Sequence, residues 1–166
     1  ILDISDRKKI ENTLKYNNEH DRWTGLYNRE YLMSLLKKDI KRKKNIKRAL
    51  IGVNFSTVQL ITANYGFQYT QNLIKKAAEN LCQHCKGNCI LFHVRENRFA
   101  FYLYDYKDKN ELDGFACAVA ETLESLFVTE RIGGGIGVVE IDENQDEVDI
   151  ELIMRRLLLA TERSVN

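Results

Sequence analysis

The sequence predicts an α/β (α+β) fold, a ferredoxin-like mixed sheet with a central β-hairpin and helices packed around it. Two observations carry this expectation. The charged turn V-R-E-N-R-F at 94–99 lies between the apolar, aromatic-rich runs "CILFHV" and "FAFYLYDY", which together read as a hairpin with a four-residue loop. On both sides of it, stretches with apolar residues at helical spacing alternate with short apolar strands, giving the order αβαββαβα after an opening segment.

The opening segment starts a helix at Ser5 or Asp6, and its only apolar stripe is Ile10 and Leu14. So thin a stripe buries little alone, so residues 1–20 are expected to be a linker helix that pairs with its own copy or lies on a neighbour. Residues 21–166 then form one domain. Asn28 caps a helix with Leu32, Leu35, Leu36 and Ile40 on one face. That helix runs into the basic stretch "KRKKNIKR", read as a solvated helix end whose cations complement the dipole.

"RALIGVNF" at 48–55 is the first strand, and Tyr69, Leu73, Ile74, Ala77, Ala78 and Leu81 mark the next helix. After the hairpin come a helix on Leu112, Phe115, Ala116, Val119, Ala120 and Leu123, the strand "RIGGGIGVVEI", and a last helix on Ile150, Ile153, Met154 and Leu157. Proline is absent from the chain, so its punctuation marks no boundary.

Composition narrows the function classes. With 25 basic against 24 acidic residues the net charge is +1, and nothing demands a nucleic-acid partner. No run approaches the roughly 18 apolar residues of a membrane span, so no direct membrane insertion is expected. The first residues place a short apolar tip before the charges, unlike a secretory signal, and the chain is expected to be cytoplasmic.

Three stretches invite chemical readings. The glycines of "GGGIG" continue into the apolar "VVEI" rather than into a helix, so they read as strand glycines that allow close packing, not a phosphate loop. "CQHCKGNC" has the residue types of a zinc or redox site, but Cys82, Cys85 and Cys89 lack a second C-x-x-C, and small buried thiols are the blander reading. His20, His84 and His93 are dispersed in the sequence and form no hydrolase constellation.

"EHDRWTGLYNREYL" at 19–32 closely resembles the start of bacterial GGDEF domains, H-D-x-L-T-G-L-x-N-R, with Trp23 the one departure. The segment upstream resembles the joint between a PAS sensor and such a domain. The resemblance implies a nucleotide-cyclase-like fold and a family chemistry in which two GTP-loaded domains make cyclic di-GMP, a phosphoryl transfer that relies on metal ions and positioning.

In the register that the resemblance sets, "NFSTVQLITANYGF" at 54–67 matches the family's D-x-D-x-F-K-x-x-N-D-x-x-G-H. Asn54 stands for the metal-binding aspartate and Ser56 for the second one; Thr62 and Gln71 stand for the two base-reading residues. The signature itself falls on Arg95, Glu96, Asn97, Arg98 and Phe99, and only Phe99 matches. Asn97 replaces a metal carboxylate, while Arg98 places a cation where a dication belongs, a repulsion of roughly 4 kcal/mol at 4 Å and an effective dielectric of 20. Thr161 and Val165 replace the phosphate-contacting lysine and arginine, and the inhibitory R-x-x-D falls on Lys86 and Cys89.

These replacements lead to the expectation of a degenerate, catalytically inactive regulatory or dimerisation domain, not an enzyme. No cofactor is expected, with Mg²⁺ and GTP binding lost. Its expected partners are a second copy of the chain and adjacent sensor and output domains. The eroded cleft of Asn54, Thr62, Gln71, Arg95, Glu96, Asn97 and Arg98 leaves two alternatives: an allosteric nucleotide (GTP) site, in which arginines meet phosphate without metal, or a residual diguanylate cyclase.

Overall fold

The computed structural model describes residues 4–42, 45–130, 132–141 and 149–163. In chain order the elements are α1 (Ile4–Glu19), β1 (Tyr27–Asn28), α2 (Arg29–Arg42), β2 (Arg48–Asn54), α3 (Val58–Tyr65), α4 (Phe67–Cys82), β3 (Cys89–Arg95), β4 (Arg98–Tyr104), α5 (Lys109–Glu130), β5 (Gly135–Ile141) and α6 (Ile150–Arg163). Among the described residues the strands form one sheet in the order β1-β3-β4-β2-β5, with β1 and β3 parallel and the other neighbours antiparallel.

Strand β2 is buried along its whole length because both sheet faces are covered. Ala49, Ile51 and Val53, with Phe99 and Phe101 of β4, pack in one core with α3, α4 and α5 residues such as Ile61, Ile74 and Val119. The intervening Leu50, Ala100 and Tyr102 point the other way, into a second core with Leu32 and Leu36 of α2 and Leu157 of α6. The period of two along each strand thus feeds two separate cores. Burying a leucine or phenylalanine in either contributes about 1.5–3 kcal/mol.

The hairpin is tighter than the sequence suggested. β3 runs to Arg95 and β4 begins at Arg98, so the turn is Glu96-Asn97 rather than four residues, and a register irregularity between His93 and Arg95 absorbs the difference. A further short helix, α3, which the sequence did not mark, precedes the expected one. Gly66, at φ +92°, ends α3 and starts α4, a backbone conformation that L residues with a Cβ rarely adopt. Tyr69, read from the sequence as part of the buried stripe, is 44% exposed. The two-residue β1 was too short to leave a periodic signal.

Asn28 caps α2 as expected, its Oδ1 accepting the Tyr31 N–H at 3.0 Å. Its Nδ2 donates to the Asn18 carbonyl at 2.7 Å, which fastens the end of α1 to the start of α2. Ile10 and Leu14 of α1 are both exposed. Among the described residues no helix is long and apolar enough to cross a membrane.

Candidate functional site

The site collects at one end of the sheet, where β2 stops, the β3–β4 turn folds over and β5 begins. It rests on a turn built by "DRWTG". Asp21 Oδ1 accepts the Trp23 N–H at 2.7 Å and the Thr24 N–H at 3.1 Å, and the Asp21 carbonyl accepts the N–H of Gly25, whose φ is +73°.

This turn holds His93. The ring is 2% exposed, its Nδ1 lies 3.0 Å from Asp21 Oδ1 and 3.2 Å from Thr24 Oγ1, and its Nε2 lies 3.2 Å from the Glu96 carbonyl in the hairpin turn. The ring also stacks on Phe99 at 4.4 Å. Burial pushes the Asp21 carboxyl up, but the hydrogen bond and charge of His93, with the Thr24 and Trp23 amides, outweigh it and hold the group below its ordinary value. His93 gives little signal in the sequence because Asp21 and Thr24 lie at least 69 residues away along the chain; the Asx spacing of Asp21 and Thr24 is the one local sign of the turn that holds it.

Asn97, the second residue of the turn, is sewn into the β2–α3 corner. Its Nδ2 donates to Asn54 Oδ1 at 3.2 Å and to the Phe55 carbonyl at 3.3 Å, and its own carbonyl accepts the Phe55 N–H at 2.8 Å. Behind them Thr57 Oγ1 accepts the Gly133 N–H at 2.9 Å. A Cβ on Gly134 would sit 2.0 Å from the Asn54 carbonyl oxygen, and one on Gly137 only 2.6 Å from the Ala160 backbone. Close packing, as expected, is what these glycines serve.

Thr62 and Gln71 do not join this corner through any hydrogen bond. Thr62 Oγ1 donates to the Val58 carbonyl at 2.9 Å and meets Thr70 Oγ1 at 2.8 Å, so its hydroxyl is committed within the α3–α4 joint. Gln71 is half-buried on α4.

Arg98 turns toward α6, donating to Thr161 Oγ1 at 3.1 Å and to Glu162 Oε1 at 3.2 Å. It lines a cavity of about 330 Å³ together with Arg29 of α2, Arg95 at the end of β3 and Arg155 of α6. Val94, Met154 and Leu157 give the cavity an apolar floor. Arg29, Arg95 and Arg155 make no ion pair among the described residues, and Glu151 is the one carboxylate in the lining. Glu96 is exposed in the turn. Val165 lies outside the described residues.

Among the described residues the side-chain donors that the corner offers a metal are the amides of Asn54 and Asn97 and the Ser56 hydroxyl, weak partners for a hard dication. Among the described residues no group of three or more His, Cys, Asp or Glu side chains could hold a metal ion. These donors do not fit the family's magnesium, though they say nothing of turnover.

No curated protein matches the sequence. Among solved structures, the chain superimposes on LapD S helix-GGDEF-EAL of Vibrio cholerae, bound to c-di-GMP, with TM-score 0.73 at 14% identity, covering 97% of this chain and 37% of that one. It matches the diguanylate cyclase SiaD of Pseudomonas aeruginosa, in complex with its activator SiaC, with TM-score 0.69 at 16% identity over 96% of this chain and 65% of that one. It also matches the coiled coil and GGDEF domain of DgcB from Caulobacter crescentus, in complex with c-di-GMP, with TM-score 0.74 at 15% identity over 96% and 86%. At these identities the likeness shows the fold.

The family model described as "Diguanylate cyclase, GGDEF domain" matches residues 18–160. That match overturns the expectation that the chain is not an enzyme: the family is diguanylate-cyclase-type, and substituted motif letters do not show an active site lost. Because the match spans most of its length, the chain belongs to the GGDEF family.

Proposed function

We propose that this chain is a regulatory GGDEF domain of a multidomain cyclic di-GMP signalling protein, governed by a nucleotide whose phosphates enter the arginine-rimmed cavity. The observation that carries the reading is the set of three guanidinium groups, on Arg29, Arg95 and Arg155, that face one cavity without an ion-pair partner among the described residues. Guanidinium forks match phosphate oxygens in pairs and need no metal to do so. The apolar floor of Val94, Met154 and Leu157 suits the flat body of a nucleotide better than an inorganic ion.

The surroundings support a regulatory role. α1 meets α2 through Asn28, so a preceding sensor domain has a direct route to the hairpin side of the sheet. The exposed Ile10 and Leu14 on α1 suit a second copy of the chain.

The test is a thermal-shift titration with GTP and no divalent cation. A ligand at 100 times its Kd stabilises the native state by about 2.7 kcal/mol, a readable rise in Tm. If millimolar GTP and the other common nucleotides leave Tm unchanged, the reading fails. Parallel samples with Mg²⁺ or Mn²⁺ are assayed for cyclic di-GMP. Steady accumulation makes the nucleotide a substrate, while a Tm shift without product makes it an effector.

A further inference from the structure

The corner between α4 and β3 holds a group that the nucleotide reading does not use. In "CQHCKGNC" the histidine is occupied, since His84 Nε2 lies 2.6 Å from Thr122 Oγ1 on α5 and its ring meets Phe115 edge-on. That leaves thiols. Cys85 Sγ and Cys89 Sγ are 3.5 Å apart, brought together by a reversal at Gly87, whose φ is +76°. Cys85 is half-buried, Cys89 is buried as the first residue of β3, and Cys82 lies exposed at the end of α4.

We propose that Cys85 and Cys89 form a redox modification site, in which a hydroperoxide oxidises Cys85 and Cys89 closes an intrachain disulfide. Three features of the corner favour this over the alternatives. The sulfurs need approach by only about 1.5 Å to reach the usual bonded distance near 2.05 Å. A zinc site would call for a fourth ligand, and the nearby imidazole is turned away to Thr122. The two thiols are also unlike. The hydrogen bond from Cys89 holds the Cys85 thiol below its ordinary value against the opposing effect of burial, whereas that same bond, then burial, pushes the Cys89 thiol up.

The chemistry balances in two steps. The Cys85 thiolate attacks one peroxide oxygen; an S–O bond forms, the O–O bond breaks, and the departing alkoxide or hydroxide takes up the proton that the thiol gave up and leaves as an alcohol or water. The sulfur is oxidised by two electrons and the peroxide reduced by two. Cys89 then attacks the Cys85 sulfur; the S–S bond forms, the S–O bond breaks, and hydroxide departs with the Cys89 proton as water. The product ties Cys85, in the loop after α4, to the first residue of β3.

The native chain is treated with hydrogen peroxide in slight excess, quenched with an alkylating reagent and analysed by peptide mass spectrometry. The expected result is a Cys85–Cys89 linkage, two hydrogens lighter than the reduced peptide, with both alkyl adducts lost and both regained after dithiothreitol. Cys82→Ser keeps the linkage. Cys89→Ser abolishes it and leaves Cys85 as the residue trapped by dimedone, and Cys89→Ala repeats that test with a less polar side chain. A Cys82–Cys85 linkage, dimedone on Cys82 or Cys117 in place of Cys85, or unchanged alkylation of Cys85 and Cys89 in the native protein would each overturn the proposal. None of these readouts depends on nucleotide.

Discussion

Two regions meet at the β3–β4 hairpin, and they treat charge in opposite ways. Around His93 each ring nitrogen has a protein partner within 3.2 Å, and the Asp21 carboxylate is held by amides and the imidazole. Around Arg29, Arg95 and Arg155 the charges line a cavity with no ion-pair partner among the described residues. Satisfied polar groups in a buried setting make a rigid joint. Uncompensated guanidiniums beside apolar surface make a place for something else. A charged hairpin is therefore not one functional unit: His93 and Asn97 anchor it to the fold and Arg98 is tied to α6, while Arg95 lines the cavity without an ion pair among the described residues.

Substitutions on the two sides should separate these roles. The largest effect is expected from His93→Ala, which removes a buried ring stacked on Phe99 and strands Asp21 and the Glu96 carbonyl; urea unfolding should show a loss of about 3 kcal/mol. A loss below about 1 kcal/mol would mean that the joint is not where the hairpin is held. Gly137→Ala should come next, at about 2 kcal/mol, because the new Cβ meets the Ala160 backbone and must push α6 from β5. Since α6 carries Arg155, this variant should also weaken nucleotide-dependent stabilisation, which His93→Ala leaves in proportion to its folded fraction.

Asp21→Asn is expected to cost about 1–2 kcal/mol at neutral pH and to flatten the acid limb of the stability curve. The sign follows from the direction of the shift. A carboxyl whose folded pKa is depressed stabilises the protein above its unfolded pKa of about 3.9, and that contribution is lost as pH falls through the lower folded value. Thermal unfolding of both proteins between pH 6 and pH 3 checks this; parallel curves would remove Asp21 from the account.

The smallest stability effect belongs to Arg155→Ala, within about 0.5 kcal/mol of the parent, since an exposed side chain with no ion pair among the described residues has little to lose. The GTP-induced rise in Tm should nevertheless fall sharply. Equal shifts in variant and parent would move the ligand away from this cavity.

Much of the fold was legible because local patterns agreed with it. Leucines at helical spacing, aromatic runs around the turn and Asn28 as a cap each point to the element observed. What escaped was short or non-local. α3 and β1 are too brief to show a period. The site was legible only in part. Asn54 ends β2 and Asn97 immediately precedes the neighbouring β4, so two amides far apart in the chain meet at the turn. The arginine cavity was hidden because Arg29 and Arg155 come from opposite ends of the chain and meet only through packing on a shared face. The expectation of a non-enzyme failed for a related reason: letters at motif positions report which groups are present, not what an assembled domain can turn over.

Asn28 gives the molecule a mechanical property. One amide caps α2 and hydrogen-bonds the last turn of α1, so turning α1 about its axis must stretch or break that bond. The same amide thus joins α1 to the helix that carries Arg29 to the cavity. A side chain of three heavy atoms beyond Cβ is the clutch between the two.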